Sequence, residues 1–295
     1  MATVSCGGTS ERYRFIKKLS LTVGIKFLCS FLGVSRSGYY DWCKRAPSNR
    51  LMADAELKDL IQKIYVDAKE VYGSPRVYKS LKKEGVAIGR KRVERLMREM
   101  KISGRVVKVT RRMPGLKRFL ASGENLRLGV DAPTGIDQVW VADITYLKVG
   151  NRWMYLSVIM DLYSRKMIAW TLDKQRTAEV TKRTLQYALR TRQPPSGLIF
   201  HTDRGIEYRG RVFQQVLKKR GIKHSLNRLG YCTDNAHMES FFHSMKAELI
   251  RGRRYSIETE LRYDLVRYIN QFYNNKRLHS GIEYNSPVEY EALAA

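Results

Sequence analysis

The sequence is short of cysteine, of long apolar runs and of acidic residues, and each shortage excludes a class of protein. Its four cysteines, Cys6, Cys29, Cys43 and Cys232, are scattered, with no CxxC pair and no histidine at metal-ligand spacing. That argues against a disulfide framework or a structural zinc module, so the thiols read as reduced and intracellular. No run approaches the ~18 apolar residues of a membrane span. The N-terminus lacks a charged head followed by an apolar core and a cleavage site, so no secretory signal is expected. No low-complexity tract and no sustained heptad repeat occurs. At 295 residues, 43% of them hydrophobic, the chain can build two or three domains with their own cores.

The acid shortage says most. Only 28 Asp and Glu stand against 55 Lys and Arg, a net charge of +27. The excess is densest early: residues 1–125 hold 28 basic and 11 acidic residues, and the rest hold 27 and 17. A chain this basic binds a polyanion, foremost nucleic acid. A membrane-surface protein would confine the charge to one amphipathic helix, which this sequence does not do.

Two helical regions come first. In IKFLCSFLGVSRSGYYDWCKR, a short helix ends at Gly33 and Ser35 caps a second helix carrying Arg36, Ser37, Tyr39 and Tyr40. That is the layout of a helix-turn-helix over residues 1–50, closed by Pro47 and Ser48. Residues 51–103 repeat the theme. Leu57, Leu60, Ile61, Ile64 and Tyr65 form one apolar stripe; Ser74 with Pro75 opens the next helix, which carries Arg76. RKRVERLMREM then rings Val93, Leu96, Met97 and Met100 with Arg90, Lys91, Arg92, Arg95 and Arg98. Such a face is either a solvated basic surface or a DNA-contacting helix, and its repetition within one basic region favours DNA. Residues 104–133 read as a basic linker.

From Gln138 the texture changes to strands. QVWVADITYLKV, RWMYLSVIMDLYS and KMIAWTL predict a three-stranded meander, with a turn at Gly150-Asn151. A helix over 177–192, the strand GLIFHTDRG, the helix RVFQQVLKKRG and the strand IKHSLNR follow. The expected fold is therefore α/β, a mixed sheet with flanking helices over residues 134–295. A long helix over 256–274 begins at Ser256, and NNKRLHSGIEYNSPVEY reads as an irregular basic and aromatic tail.

Three carboxylates sit where a purely structural sequence rarely puts them. Asp143 interrupts a strand, although aspartate is depleted in strands. Asp203 closes a buried strand at the C-terminal end, where α/β sheets place their chemistry. Glu239 follows an N-cap at Asp234 or Asn235 and stands beside Phe241 and Phe242, on a helix whose Met238, Phe242, Met245 and Leu249 face a core. A carboxylate held among aromatics costs free energy unless a cation meets it. Singly, each has a dull reading: a strand-end cap, a turn aspartate, a pair with His243 at i+4. Jointly, three inward carboxylates would repel unless cations neutralise them, and magnesium prefers such oxygen donors. Two such ions suit phosphoryl transfer, and a basic protein offers DNA as the substrate.

The blocks VADITY, HTDRGIEY, NRLGYCTDNAHMESFFHSMKAEL and YNNKRLHSGIEYNSPVEYE, preceded by YGSPRVYKSLKKEG and KRVERLMREMKISG, carry a resemblance. In these and in its order of elements the chain resembles retroviral-integrase-type DDE transposases. More narrowly, it is similar to the catalytic protein of bacterial insertion sequences encoded in two overlapping frames. The resemblance implies a ribonuclease-H-like core and a triad of Asp143, Asp203 and Glu239 that holds two magnesium ions, with manganese able to substitute. It implies that Lys246, two turns beyond Glu239, contacts element-end DNA. His243 on the same face, Asn235 beside the preceding loop, and Arg228 are lesser DNA contacts. The implied partners are double-stranded terminal inverted repeats and target DNA, a second copy of the chain, and an upstream-frame protein or a fusion with it. The implied reaction is cleavage at element ends and strand transfer, in a bacterial, nucleoid-associated cytoplasmic protein. Ile206-Glu207 departs from the family, where small polar residues are more usual. Two alternatives remain: a DNA-binding regulator without catalysis of its own, and a ribonuclease-H-like nuclease without strand transfer.

Overall fold

The computed structural model describes residues 8–46, 48–105, 123–129 and 131–294. The chain divides into two compact units, Met1–Leu60 and Ile61–Ala295.

In the first unit, helices α1 (Thr9–Leu19), α2 (Ile25–Phe31) and α3 (Arg36–Lys44) surround a small core of Ile16, Leu28, Cys29, Leu32 and Tyr39. The expected turn forms. Gly33 takes φ +63°, a conformation any side chain would strain, and the Ser35 hydroxyl accepts the Gly38 N–H at 3.3 Å. Tyr39 corrects the reading that placed it on DNA. It is 4% exposed and packs between Tyr13 and Trp42, at ring-centroid distances of 5.9 and 6.4 Å. Arg36, Ser37 and Tyr40 do face outward.

Helix α4 (Asn49–Asp67) contains the boundary between the units. Beyond it, α5 (Ser74–Lys83) and α6 (Arg90–Glu99) pack through Val77 and Leu81 against Val93, Leu96 and Met97. The N-cap of α5 is Gly73, so Ser74 belongs to the helix rather than capping it. On α6, Arg90 pairs with Glu94 at 2.9 Å and Arg95 with Glu99 at 2.6 Å, the i,i+4 geometry of an exposed helix face.

The sheet is built as its residues predict. Strands β1 (Val139–Val149), β2 (Arg152–Asp161) and β3 (Met167–Asp173) form the antiparallel meander. Helix α7 (Ala178–Thr191) crosses over to β4 (Ile199–Thr202); α8 (Ile206–Arg209) and α9 (Arg211–Lys219) lead on to β5 (Lys223–Leu226). The order is β3-β2-β1-β4-β5, with β1, β4 and β5 parallel. Trp140, Phe200, Tyr208 and Phe213, with Leu185 and Leu217 from the crossover helices, fill the core on one side.

The remaining helices are α10 (Ala236–Met245), α11 (Glu258–Val266) and α12 (Pro287–Ala294). Wider π-turns over Lys246–Ile250 and Arg267–Tyr273 extend α10 and α11, so the long helix expected from Ser256 starts two residues later and changes pitch. The tail expected to be irregular is ordered. Arg277 and Leu278 are buried, a bridge joins His279 to Asn285, and α12 closes the chain. It also holds the preceding helices: Tyr72 Oη donates to Lys276 O at 3.1 Å and accepts the Leu278 N–H at 2.8 Å, and Lys83 pairs with Glu289 at 2.9 Å. The expected linker lies largely outside the described residues. Its described part is anchored, since Glu124 O accepts the Leu226 N–H and the Leu126 N–H reaches Ser225 Oγ, both at 3.0 Å. Among the described residues no helix is long and apolar enough to cross a membrane.

Candidate active site

Two carboxylates meet through strand register. The parallel pairing of β1 with β4 runs Val139–Ile199, Trp140–Phe200, Val141–His201. Two positions past that last pair come Asp143, within β1, and Asp203, just beyond the end of β4, and both carry charge that acts on the buried Tyr208. Both are half-buried. Asp143 Oδ1 accepts its neighbour's N–H, from Ile144, at 2.7 Å. Asp203 Oδ1 accepts the Gly205 N–H at 3.0 Å. Burial pushes the Asp203 carboxyl above its ordinary range, and the Glu207 charge adds to that against the pull of the Gly205 N–H. Gly205 is required here by space: a Cβ would collide with the Glu207 carboxylate and stand 2.9 Å from Asp203 Oδ1.

Glu239 corrects one expectation. Met238, Phe241 and Phe242 are buried as the helical period predicts, but Glu239 itself is exposed. At about 100° per residue, Phe241 points roughly 160° away from it, and Phe242, roughly 60° away, turns its ring into the core, so neither encloses the carboxylate. It makes no hydrogen bond or ion pair within the described residues. Its helix is fixed to the sheet by Asn235, whose Nδ2 donates to Ala142 O at 3.1 Å, next to Asp143. Asn235 is 3% exposed, so a residue expected to touch DNA instead ties α10 to β1. Nor does its side chain cap the helix. Asp234 accepts instead from Arg228, at 2.8 Å through Nη2 and at 2.8 Å through the backbone, and these bonds, with Asn125, hold its carboxyl far below the usual range. Arg228, paired in this way, also lies 4.2 Å over the Tyr231 ring.

Lys246 reaches out beside the site, its Nζ 4.8 Å above the exposed Tyr146 ring, and Tyr146 meets Trp153 edge-on at 5.1 Å. His243 is half-buried on the same helix face as Glu239. Arg76, expected on DNA, turns to the tail and donates to Leu278 O at 3.0 Å. Arg90 and Lys91 are exposed, and Arg92 and Arg95 half-exposed.

Glu207 and its partner were not anticipated. The Glu207 side chain is 2% exposed and pairs with Arg176 at 2.5 Å, beside Asp203. The only sequence signal was its departure from the small polar residue usual in HTDRGIEY. Tyr208, wholly buried, has a hydroxyl without a partner, and burial followed by the charges of Asp143, Asp203 and Glu207 raises its pKa well above the ordinary value. Negative potential is therefore concentrated inside β1 at Asp143 and just past the end of β4, and an oxygen-only donor set suits a hard divalent cation. Among the described residues, no three His, Cys, Asp or Glu side chains converge closely enough to form a ready ion cage.

Comparison with known proteins agrees with this architecture. Sequence profiles described as an integrase core domain match residues 133–232 and 239–293, and an HTH-like domain profile matches residues 52–110. An insertion element IS600 31 kDa protein of Shigella sonnei is 36% identical over 272 residues, covering 91% of this chain and 100% of that one. The transposase InsF for insertion sequence IS3A of Escherichia coli (strain K12) is 35% identical, covering 95% and 98%. A chain of the simian T-cell lymphotropic virus intasome, solved with the PP2A regulatory subunit B56 gamma, aligns at 15% identity and TM-score 0.47, over 78% of this chain and 74% of that one. With relatives this similar over nearly their full length, the chain belongs to the bacterial insertion-sequence transposases that carry a DDE integrase core.

Proposed function

We propose that the chain cleaves DNA at insertion-sequence ends and transfers the strand to target DNA through Asp143, Asp203 and Glu239 with two magnesium ions, which manganese can replace. The reading is supported chiefly by one arrangement: Asp143 on β1 and Asp203 just past the end of the neighbouring β4 both act on the buried Tyr208, and the helix bearing Glu239 is pinned at Ala142. When bound, the metal supplies Lewis-acid activation of the attacking hydroxyl and stabilisation of the leaving oxygen.

The chain's own residues do the rest. The Gly205 N–H orients Asp203, and the Glu207–Arg176 pair fixes the loop beside it. Lys246, over Tyr146, holds a DNA phosphate at the mouth of the site, and His243 lines the same side. Two element ends must be held together, which calls for at least a dimer on DNA, alone or with an upstream-frame protein, in the bacterial cytoplasm. Nothing in the fold or among the relatives favours a purely regulatory binder.

The test uses a labelled duplex carrying the element ends, in magnesium or calcium, with wild type and Glu239→Gln. Magnesium-dependent nicking and joining that the variant loses, with binding retained, is the expected result. Nicking that survives in Glu239→Gln would sink the assignment.

A further inference from the structure

On the far side of α10 lies a second concentration of charge. His237, Ser240, Phe241 and Ser244 form a stripe centred about 130° around the helix from Glu239 and His243, at ~100° per residue. This stripe is one wall of a cavity of about 260 Å³, completed by the β2–β3 turn, α5 and the tail. Arg76, Arg165 and Arg277 line it, and among the described residues no carboxylate does. It opens where Ser240 and Ser280 are exposed.

Two polar side-chain atoms in this cavity lack partners. Arg165 Nη1 is buried without a partner, and so is His279 Nε2. Burial and the neighbouring Arg277 charge push the pKa of the His279 ring well down. Arg277 Nη1 lies 3.3 Å from its Nδ1, and the Tyr273 backbone carbonyl also faces the ring. Glu248 neutralises Arg277, so the uncompensated charge is that of Arg165 and Arg76. Arg165 also occupies an awkward backbone position, at φ +63° in the β2–β3 turn. Glycine or asparagine fills such a turn at lower cost. An arginine there is explained by what its side chain reaches.

We propose that this cavity is an anion site that takes one phosphate group of a DNA strand, apart from the catalytic face. A phosphate offers acceptors in several directions and suits guanidinium donors. A backbone phosphate is favoured over a free one because Arg76 and Ser280 also line a neighbouring groove of about 710 Å³, to which Arg98, Arg105 and one carboxylate, Glu94, contribute. A strand with one phosphate in the cavity has that predominantly basic groove beside it. The assignment rests on the chain being a DNA-acting transposase, but not on which residues cleave.

The full chain, in calcium so that nothing is cut, is titrated into a labelled element-end duplex at several salt concentrations. Wild type is compared with Arg165→Gln and Ser240→Asp. Both variants should bind about fivefold to tenfold more weakly, and the slope of log K against log salt should fall by about one. In a second arm, inorganic phosphate replaces chloride at matched ionic strength; it should raise the melting temperature of wild type and do so less in the variants. Unchanged affinity and slope in both variants would overturn the DNA assignment. In that case a phosphate effect lost in the variants would identify a free phosphate as the occupant, and no effect would remove the anion site altogether. Should Arg165→Gln fail to fold, Ser240→Asp decides, because its side chain starts at the exposed mouth. Since binding alone is read, the result stands separately from the cleavage test of Glu239→Gln.

Discussion

Glu248 and Asp203 are both acidic residues drawn into the integrase-like part of the chain, and they are treated in opposite ways. Glu248 is fully met: Arg277 donates at 2.6 and 2.9 Å and Tyr268 Oη at 2.7 Å, with both partners of the ion pair nearly buried. Among the described residues Asp203 accepts only the Gly205 N–H, is left beside another carboxylate, and carries a raised pKa. A satisfied buried charge holds a fold together; one left short of counter-charge is a place for something the chain does not itself provide.

The contrast can be broken most directly at Asp203. Asp203→Asn should reduce strand cleavage by about three orders of magnitude, several kcal/mol of transition-state stabilisation. Its melting temperature should stay level or rise at neutral pH. The sign follows from linkage: a carboxyl with a raised folded pKa binds more protons folded than unfolded, so its charge destabilises the fold as pH climbs through that window. A large loss of stability on this substitution would show that Asp203 is structural after all.

Glu248→Gln should do the reverse. It leaves Arg277 buried and uncompensated, at a cost of about 3–5 kcal/mol in urea unfolding. Cleavage by the protein that remains folded should change little. Equal damage to activity and stability would blur the distinction between the two sites.

A smaller effect sharpens the comparison from the side of the buried bases. Burial pulls His224 down to about 4. Between there and its unfolded value of ~6.5, the unfolded chain binds more protons, so stability falls as pH is lowered across this interval. His224→Gln should flatten that part of the pH–stability curve, measured by urea titration at successive pH values. An unchanged slope would mean that His224 is not the group responsible.

Much of this was legible in the sequence. The succession of elements and the meander follow from β-branched runs and turn residues, whereas the placing of β4 beside β1, which brings Asp203 to the neighbouring strand of Asp143, is a long-range pairing. What failed was orientation within an element. Tyr39 and Arg36 lie three positions apart on α3, and only packing against Tyr13 decides that the tyrosine turns inward. Asn235 has a helix-capping side chain, but a carbonyl on β1 claims it, and a long-range partner of that kind leaves no local trace. Glu207 looked like a deviation until the fold brought Arg176 to it from 31 residues away. The π-turns following α10 and α11 arise from packing that a helical period does not encode.

The clasp between Tyr72 and the tail has a consequence for how the protein is made. Its hydrogen bond to Lys276 spans 204 residues. At a synthesis rate of ~5–20 residues per second, Tyr72 is made roughly 10–40 seconds before the carbonyl it binds. Through that interval the helices around it carry an unfinished surface on a nascent chain, and a protein truncated before Lys276 never completes it. The stretch from Lys276 to Glu289 thus completes a surface that the earlier helices begin.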